Sequence, residues 1–185
     1  VILPDKDYAM SVCAYGVNLA DVKHLVIHNP LSVCSYKING VPKEITFIAN
    51  PETYCGDIIR VMHAAKPGDG YYVEKVNIID EAGQFVEKDG VVYTSDMKTL
   101  VACSLNITDL VVPEGVEEII SYGFENTHIR NIKLPDSLYI LDEKAFHDCR
   151  ELQSVDFGSG LETIKSFAFQ NCTSLTHVKL PPQMK

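Results

Sequence analysis

Residues 144–157 read KAFHDCRELQSVDF, and residues 167–180, 23 positions further along the chain, read FAFQNCTSLTHVKL. The two stretches carry Ala-Phe, Cys, Leu and Val at equal spacing. A pattern that recurs with this period indicates a repeat protein, in which each unit is one structural element stacked on the next. The recurring cysteine raises a chemical question, because it could serve either reactivity or packing.

Three units of this kind follow one another as residues 111–132, 133–155 and 156–178, with 22, 23 and 23 residues. The alternating apolar residues late in each unit predict a short strand, and residues 145–151 favour about one helical turn. One coil cannot bury both of its faces, so we predict a solenoid whose strands form a continuous parallel sheet. The apolar or small columns include Val112, Leu134, Phe157 and Leu180; Phe124, Phe146 and Phe169; and Thr127, Cys149 and Cys172.

The N-terminal part repeats with a period of 21, since residues 13–33 align with residues 34–54. This alignment stacks Cys13, Cys34 and Cys55, and it places Ile27 over Ile48. Further along, residues 73–79 predict a strand, and residues 91–102 predict a β-hairpin turning through TSDMK. We therefore predict one continuous solenoid domain, divided into divergent coils at 1–84, a hairpin-bearing coil at 85–110 and regular repeats at 111–185.

Composition and charge disfavour nucleic acid as a partner and predict no membrane span. The chain has 185 residues, 46% of them hydrophobic, which is enough to bury a core. Its formal charge is 16 minus 25, or −9, so a polyanion such as nucleic acid is a poor partner. The sequence contains no run of about 18 apolar residues, so it predicts no membrane span.

The repeat columns resemble those of the BspA-type leucine-rich repeats, a 23-residue class found in surface proteins of bacteria and some protozoa. The likeness is carried by LPDSLYILDEKAFHDCRELQSVDF at 134–157 and GLETIKSFAFQNCTSLTHVKLP at 160–181. Residues 89–119 resemble the hairpin-bearing variant that often precedes such arrays. Two departures are Leu141-Asp142 and Ile164-Lys165, where the family commonly has Ile-Gly before the Ala-Phe pair.

The resemblance implies an α/β repeat solenoid, a right-handed leucine-rich-repeat superhelix with a parallel sheet on one face, short helical turns and a β-hairpin insertion. It implies a non-catalytic, adhesin-like module, secreted or at the cell surface of a bacterium, that binds a host matrix or plasma protein. It implies no cofactor. Two alternatives stay open: a structural spacer, or a glycan-binding module using exposed aromatics among Tyr8, Tyr15, Tyr36, Tyr71 and Tyr72.

The cysteine column favours packing over chemistry. Thr127, an unreactive residue, shares the column, and free cysteine is among the most buried residue types. A disulfide between neighbouring coils is the alternative, because strand spacing brings Cα atoms within bonding range. A Cys149 nucleophile activated by His147 is the strongest enzymatic hypothesis, but the next coil has Gln170 in place of the histidine. Without Cys-x-x-Cys spacing, a zinc site is not predicted.

The outward side of the predicted sheet is the candidate protein-binding face. Stacking the coils aligns Lys133, Asp156 and Lys179 in a column of alternating charge. Such a column either stabilises the sheet by a few tenths of a kcal/mol per pair or forms part of a binding surface. The nine residues of this face are Arg130, Asn131, Lys133, Gln153, Ser154, Asp156, Thr176, His177 and Lys179.

Overall fold

The computed structural model describes residues 2–3, 24–27, 44–51, 53–63, 75–182 and 184. Strands account for most of its regular structure. They are β1 (Ile2–Leu3), β2 (His24–Ile27), β3 (Glu44–Ala49), β4 (Lys75–Asp80), β5 (Phe85–Lys88), β6 (Val91–Thr94), β7 (Thr99–Cys103), β8 (Asp109–Val111), β9 (Glu118–Ile119), β10 (Asn131–Lys133), β11 (Ile140–Leu141), β12 (Ser154–Asp156) and β13 (Thr163–Ile164), and α1 is Cys55–Met62.

The N-terminal strands form a four-stranded sheet in the order β1-β2-β3-β4, with every pair parallel. The β4 strand confirms the strand predicted at 73–79 over residues 75–79, and residues 73 and 74 lie outside the described residues. The predicted stacking of Ile27 over Ile48 is wrong, because Ile27 pairs with Phe47, 20 positions on. A shift of one residue reverses which face each side chain occupies, and Phe47 is fully buried. The predicted columns through Cys13 and Cys34 lie outside the described residues.

Helix α1, which the sequence did not predict, follows β3. Its first turn is capped by Asp57, whose carboxylate accepts a hydrogen bond of 3.2 Å from the Tyr54 backbone N–H. Ile58, Val61 and Met62 point into the core. The helix is therefore held by packing of one apolar face, as expected for eight residues that would not be helical alone.

The hairpin predicted at 91–102 is confirmed, since β6 and β7 pair antiparallel, and β5 adds a third antiparallel strand. Alternate residues of this hairpin enter two different cores. Val91 and Leu100 belong to the core of the repeats, whereas Val92 and Val101 belong to a second core with β3 and α1. The hairpin therefore contributes side chains to both hydrophobic cores.

The repeats at 111–178 form two parallel ladders. One is the three-stranded ladder β8-β10-β12, and the other is the parallel run β7-β9-β11-β13 that continues the hairpin sheet. The strands late in each unit confirm the predicted parallel sheet, and the second ladder was not predicted. Each coil contributes a strand to both ladders because Pro or Gly turns the chain between them. Gly158 stands where the neighbouring coil has Pro135, and a Cβ at Gly158 would lie 2.0 Å from the Pro135 carbonyl oxygen. The backbone approach between these two coils therefore requires glycine at this turn.

The helical turn predicted at 145–151 is also wrong, because this segment is a series of hydrogen-bonded turns. Two residues per coil have the left-handed backbone that interrupts an α-helix. In one coil these are Lys144 and Asp148, with φ of 56° and 57°. The equivalent residues of the neighbouring coils, Tyr122, Asn126, Phe167 and Asn171, also have positive φ.

The predicted phenylalanine column runs through the core of the repeats. The ring of Phe146 stacks on Phe124 at 4.6 Å and on Phe169 at 5.2 Å between centroids. Phe124 and Phe146 are fully buried. Val178 and Leu180, which were also predicted to point inward, are instead 43% and 48% exposed.

Coils of unequal length stack in register. β10 pairs with β8 at a separation of 22 residues and with β12 at a separation of 23, as Asn131 faces both Asp109 and Ser154. Thr127 aligns with Cys149, 22 residues on, whereas Ile129 aligns with Leu152, 23 residues on. The extra residue therefore lies in the turn 150–151. The difference is therefore absorbed outside both ladders.

Candidate functional site

All nine residues of the predicted face are exposed. Arg130 and Gln153 immediately precede β10 and β12, and the four residues Asn131, Lys133, Ser154 and Asp156 lie on those strands. Between them, Ile132 and Val155 turn inward and pack in the core of the repeats. This alternation presents the outward side chains of both strands on one face.

A polar ladder crosses this face along one column. The Asn131 side-chain N–H donates to the Asp109 carboxylate at 2.7 Å, and the Ser154 hydroxyl donates to the side-chain oxygen Oδ1 of Asn131 at 2.8 Å. The bond from Asn131, with a second from Thr108, holds the pKa of Asp109 below its ordinary value. Asp109 therefore extends the predicted face by one strand, and these hydrogen bonds fix the side chains in place.

The charged column behaves differently. Lys133 and Asp156 are directly paired neighbours in the β10–β12 register. Even so, no ion pair within 4 Å joins Lys133, Asp156 or Lys179 to any residue of the described ranges. Stabilisation of the sheet by ion pairs along this column is consequently not observed.

Arg130 is engaged at the edge of the face. Its guanidinium donates to the Glu151 carboxylate at 2.9 and 3.0 Å, and the His128 ring contacts the same carboxylate at 2.7 Å. His128 first, and then Arg130, hold the pKa of Glu151 below its ordinary value. Glu151, which sequence reasoning missed, orients Arg130 across the coil boundary.

The third row of the predicted face lies beyond the ladder. Thr176, His177 and Lys179 are exposed but do not form a strand, and the described contact within this row joins His177 Nδ1 to the Thr176 hydroxyl at 3.1 Å. The structure therefore brings together four of these residues on β10 and β12, with Arg130 and Gln153 immediately before those strands, and it places the last three on an irregular segment.

Sequence reasoning missed the exposed aromatics. Tyr139 is 39% and Phe167 60% exposed, while Tyr122 holds the Lys144 ammonium over its ring and accepts a hydrogen bond from it at 3.0 Å. The signal was available, because Tyr122, Lys144 and Phe167 occupy one repeat column. The tyrosines proposed for glycan contact, Tyr8, Tyr15, Tyr36, Tyr71 and Tyr72, lie outside the described residues.

The cysteine column packs and donates hydrogen bonds. The Cys149 thiol donates to the Phe124 carbonyl at 2.8 Å, and the Cys172 thiol donates to the Phe146 carbonyl at 3.1 Å. Thr127 donates its hydroxyl to the Phe124 carbonyl at 2.9 Å. Each cysteine thus donates to a carbonyl of the preceding coil, whereas Thr127 donates to a carbonyl of its own coil.

The alternative readings of this column find no geometric support. Cys149 and Cys172 are free cysteines rather than a disulfide. Burial raises the pKa of Cys149 well above its ordinary value, which opposes formation of a nucleophilic thiolate. His147 directs Nδ1 at the carboxylates of Glu125 and Asp148, at 3.1 and 3.4 Å.

Two other properties concern the described part of the chain alone. Within it, no cluster of three or more His, Cys, Asp or Glu side chains is arranged to hold a metal ion. Its helical segment is too short to cross a lipid bilayer.

Comparison with known proteins places the repeats in a family. Residues 98–185 match a family model described as "BspA type Leucine rich repeat region (6 copies)". None of the curated proteins matches the chain significantly.

Crystal structures of leucine-rich-repeat proteins share the fold. One from Bacteroides capillosus is 23% identical over 55% of this chain and 88% of its own, with a TM-score of 0.51. A leucine rich cell surface protein from Faecalibacterium prausnitzii is 16% identical over 89% of this chain and 41% of its own, with a TM-score of 0.57. The pneumococcal vaccine antigen PcpA is 16% identical over 80% and 42%, with a TM-score of 0.51.

The present chain spans about two fifths of the last two structures. At these identities the likeness concerns the fold, which is a strand-rich leucine-rich-repeat architecture with parallel sheets. Together with the stacked column of Phe124, Phe146 and Phe169, the family match identifies residues 98–185 as an array of BspA-type leucine-rich repeats.

Proposed function

We propose that this chain is a non-catalytic, adhesin-like module of a secreted or cell-surface bacterial protein, and that it binds a host matrix or plasma protein through the outward face of β10 and β12. The observation that carries the proposal is the charged column. Lys133 and Asp156 are exposed and directly paired on β10 and β12, Lys179 is exposed on the irregular segment after them, and no ion pair within 4 Å among the described residues involves any of the three.

Neighbouring side chains support a role in recognition. The ladder from Asp109 through Asn131 to Ser154 is fixed by hydrogen bonds, so little side-chain entropy is lost there on binding. Val111, which is 69% exposed on β8, adds apolar surface in the same column as Lys133. A partner thus meets a rigid polar row, one apolar residue, and charges that form no ion pair within 4 Å among the described residues.

The test is binding of the purified chain, immobilised on a sensor surface, to a panel of host matrix and plasma proteins. The Lys133→Ala, Asp156→Ala, Lys179→Ala triple variant is measured alongside. A matched control is Lys98→Ala, Glu117→Ala, which removes a salt bridge of 2.9 Å from the other ladder of the repeats, away from the proposed face. Saturable binding that only the triple variant loses supports the proposal. Absence of binding by the folded wild-type chain favours the spacer, and equal loss in both variants contradicts the assignment of this face.

A further inference from the structure

A groove separates the N-terminal sheet from the outer ladder of the repeats. Among the described residues β4 pairs with β3 alone, and β8 pairs with β10 alone, so each strand has an open edge. A cavity of about 300 Å³ lies between residues 75–77 of β4 and the loop 104–107 that leads into β8. The turn between β5 and β6 lines its third side.

The walls of this groove are preformed. The Ser104 N–H donates to the Gly90 carbonyl at 2.8 Å, and the Ser104 hydroxyl donates to the Asn106 side-chain oxygen at 2.9 Å. Gly90 has φ of +81°, and a Cβ there would lie 3.0 Å from Ile107 Cδ1. Hydrogen bonds and a required glycine therefore attach the loop to the hairpin, and no rearrangement is needed to open the cavity.

The open edge of β4 favours a strand as the occupant. A strand with one unpaired edge exposes backbone N–H and C=O groups that an extended peptide can pair with. The adjacent lining is mixed, because the polar side chains of Asn77, Ser104 and Asn106 border the cavity together with the apolar side chains of Val76 and Ile107. Main-chain pairing would supply affinity, and side-chain contacts would supply selectivity.

The charge of the groove determines which kind of side chain on a bound peptide is favoured. Lys75 lies 3.5 Å from the Glu44 carboxylate, so its positive charge is partly neutralised. Glu87 and Asp89 line the opposite wall, and the charge of the described lining residues is +1 from lysine and −2 from the two acids, or −1. A basic side chain is therefore favoured over an acidic one.

We propose that this groove binds an extended segment of a partner protein, added as a strand along the open edge of β4, with a Lys or Arg side chain directed at Glu87 and Asp89. The site shares no residue with the nine-residue face, and it does not depend on that face binding anything. It is a peptide-recognition site in addition to the proposed adhesive surface.

The probes are two fluorescein-labelled peptides, Thr-Val-Lys-Val-Thr and its acidic counterpart Thr-Val-Glu-Val-Thr, measured by fluorescence anisotropy with the full chain. We expect saturable binding of the lysine peptide and weaker binding of the glutamate peptide. In the Glu87→Gln, Asp89→Asn variant, binding of the lysine peptide should weaken about five- to twentyfold. The Glu87→Gln change keeps a side-chain oxygen that accepts the Gly90 N–H, and the Asp89→Asn change is compatible with the positive φ at that position.

The control variant is Asp156→Asn, which removes one carboxylate outside the groove and should leave the lysine peptide affinity unchanged. Amide chemical shifts of the isotope-labelled wild-type chain locate the site without any substitution. Perturbations at 75–79 and 104–107 support the proposal. Failure to bind either peptide, equal affinity for both, or perturbations centred on the open edges of β12 and β13 would overturn it.

Discussion

At the scale of single residues, the stacked phenylalanines determine the stability of the repeats. Phe146 is fully buried between two parallel rings, so Phe146→Ala leaves a cavity and should lower the free energy of unfolding by about 3 to 5 kcal/mol. Lys133→Ala, on the exposed face, should change it by about 0.5 kcal/mol or less. Denaturant titration of both variants measures this, and equal effects would refute the assigned repeat register.

The difference in exposure between Cys149 and Cys172 predicts the order in which their thiols are alkylated. Cys149 is buried and Cys172 is partly exposed, and both thiols donate to backbone carbonyls. Because alkylation requires an accessible thiolate, we expect iodoacetamide to modify Cys172 before Cys149 in the folded chain. Mass spectrometry of timed samples gives the order, and the denatured chain is the control, in which both should react equally. Faster modification of Cys149 would indicate an activated thiol and reopen the enzymatic hypothesis.

At the scale of elements, His63 connects α1 to the hairpin. Its Nε2–H donates to the Cys103 carbonyl at 3.0 Å, while Nδ1 is buried without a hydrogen-bond partner among the described residues. Burial lowers the pKa of His63 from 6.5 to about 4, and the bond to Cys103 opposes this only in part. Protonating Nδ1 would place an unpaired donor and a charge between the helix and β7.

The consequence is a pH dependence with a definite sign. Between pH 6.5 and about 4 the unfolded chain binds a proton at His63 that the folded chain does not, so stability falls as the pH falls through this window. The loss is at most about 3 kcal/mol, and it stops below the folded pKa. His63→Gln retains a side-chain donor for Cys103 and should lose this part of the dependence. Parallel stability curves for both proteins from about pH 7 to about pH 4 would contradict the prediction.

Periodicity decides which elements the sequence can predict. The hairpin strands and the columns of Phe124, Phe146 and Phe169 were predictable, because they repeat or alternate at a fixed spacing. The turn at 145–151 was assigned as helical because its residue types suit a helix, but the left-handed residues Lys144 and Asp148 are set by stacking against adjacent coils. Helix α1 occurs once in the described chain, so no repeat indicated it.

The candidate face was predictable to a similar extent. Alternation in β10 and β12 placed Asn131, Lys133, Ser154 and Asp156 correctly on the outward side of paired strands, because the side-chain period of a strand is two. Arg130 and Gln153 precede the strands, so alternation does not account for their exposure. The pairing of Arg130 with Glu151 and the absence of ion pairs at Lys133 within the described ranges depend on side-chain conformations. Pattern alone does not specify these. The division of the chain at 84 and 110 stays a prediction.

At the scale of the whole molecule, the hairpin joins the two cores. Val92, Val101 and Ala102 are fully buried against the side of the molecule that contains β3 and α1. A chain limited to residues 85–185 would expose them to water, and burial of each valine contributes about 1.5 to 3 kcal/mol. We therefore expect this fragment to be less stable than the full chain by about 3 to 6 kcal/mol.

Two measurements check this coupling. Far-UV circular dichroism and tyrosine fluorescence should report the same denaturant midpoint for the full chain, as expected for one cooperative unit. The fragment 85–185 should unfold at a lower midpoint and bind a hydrophobic dye. Two separate transitions in the full chain, or a fragment as stable as the parent, would mean that the halves fold independently.

The unequal coils have an evolutionary consequence. β10 pairs in register with strands 22 and 23 residues away, and the additional residue lies in the turn 150–151. A duplication whose boundaries differ by one codon at this turn would still produce a unit that stacks on its parent. Such an array can gain or lose coils by imprecise recombination without a frameshift in its core, so its length can vary faster than its packing.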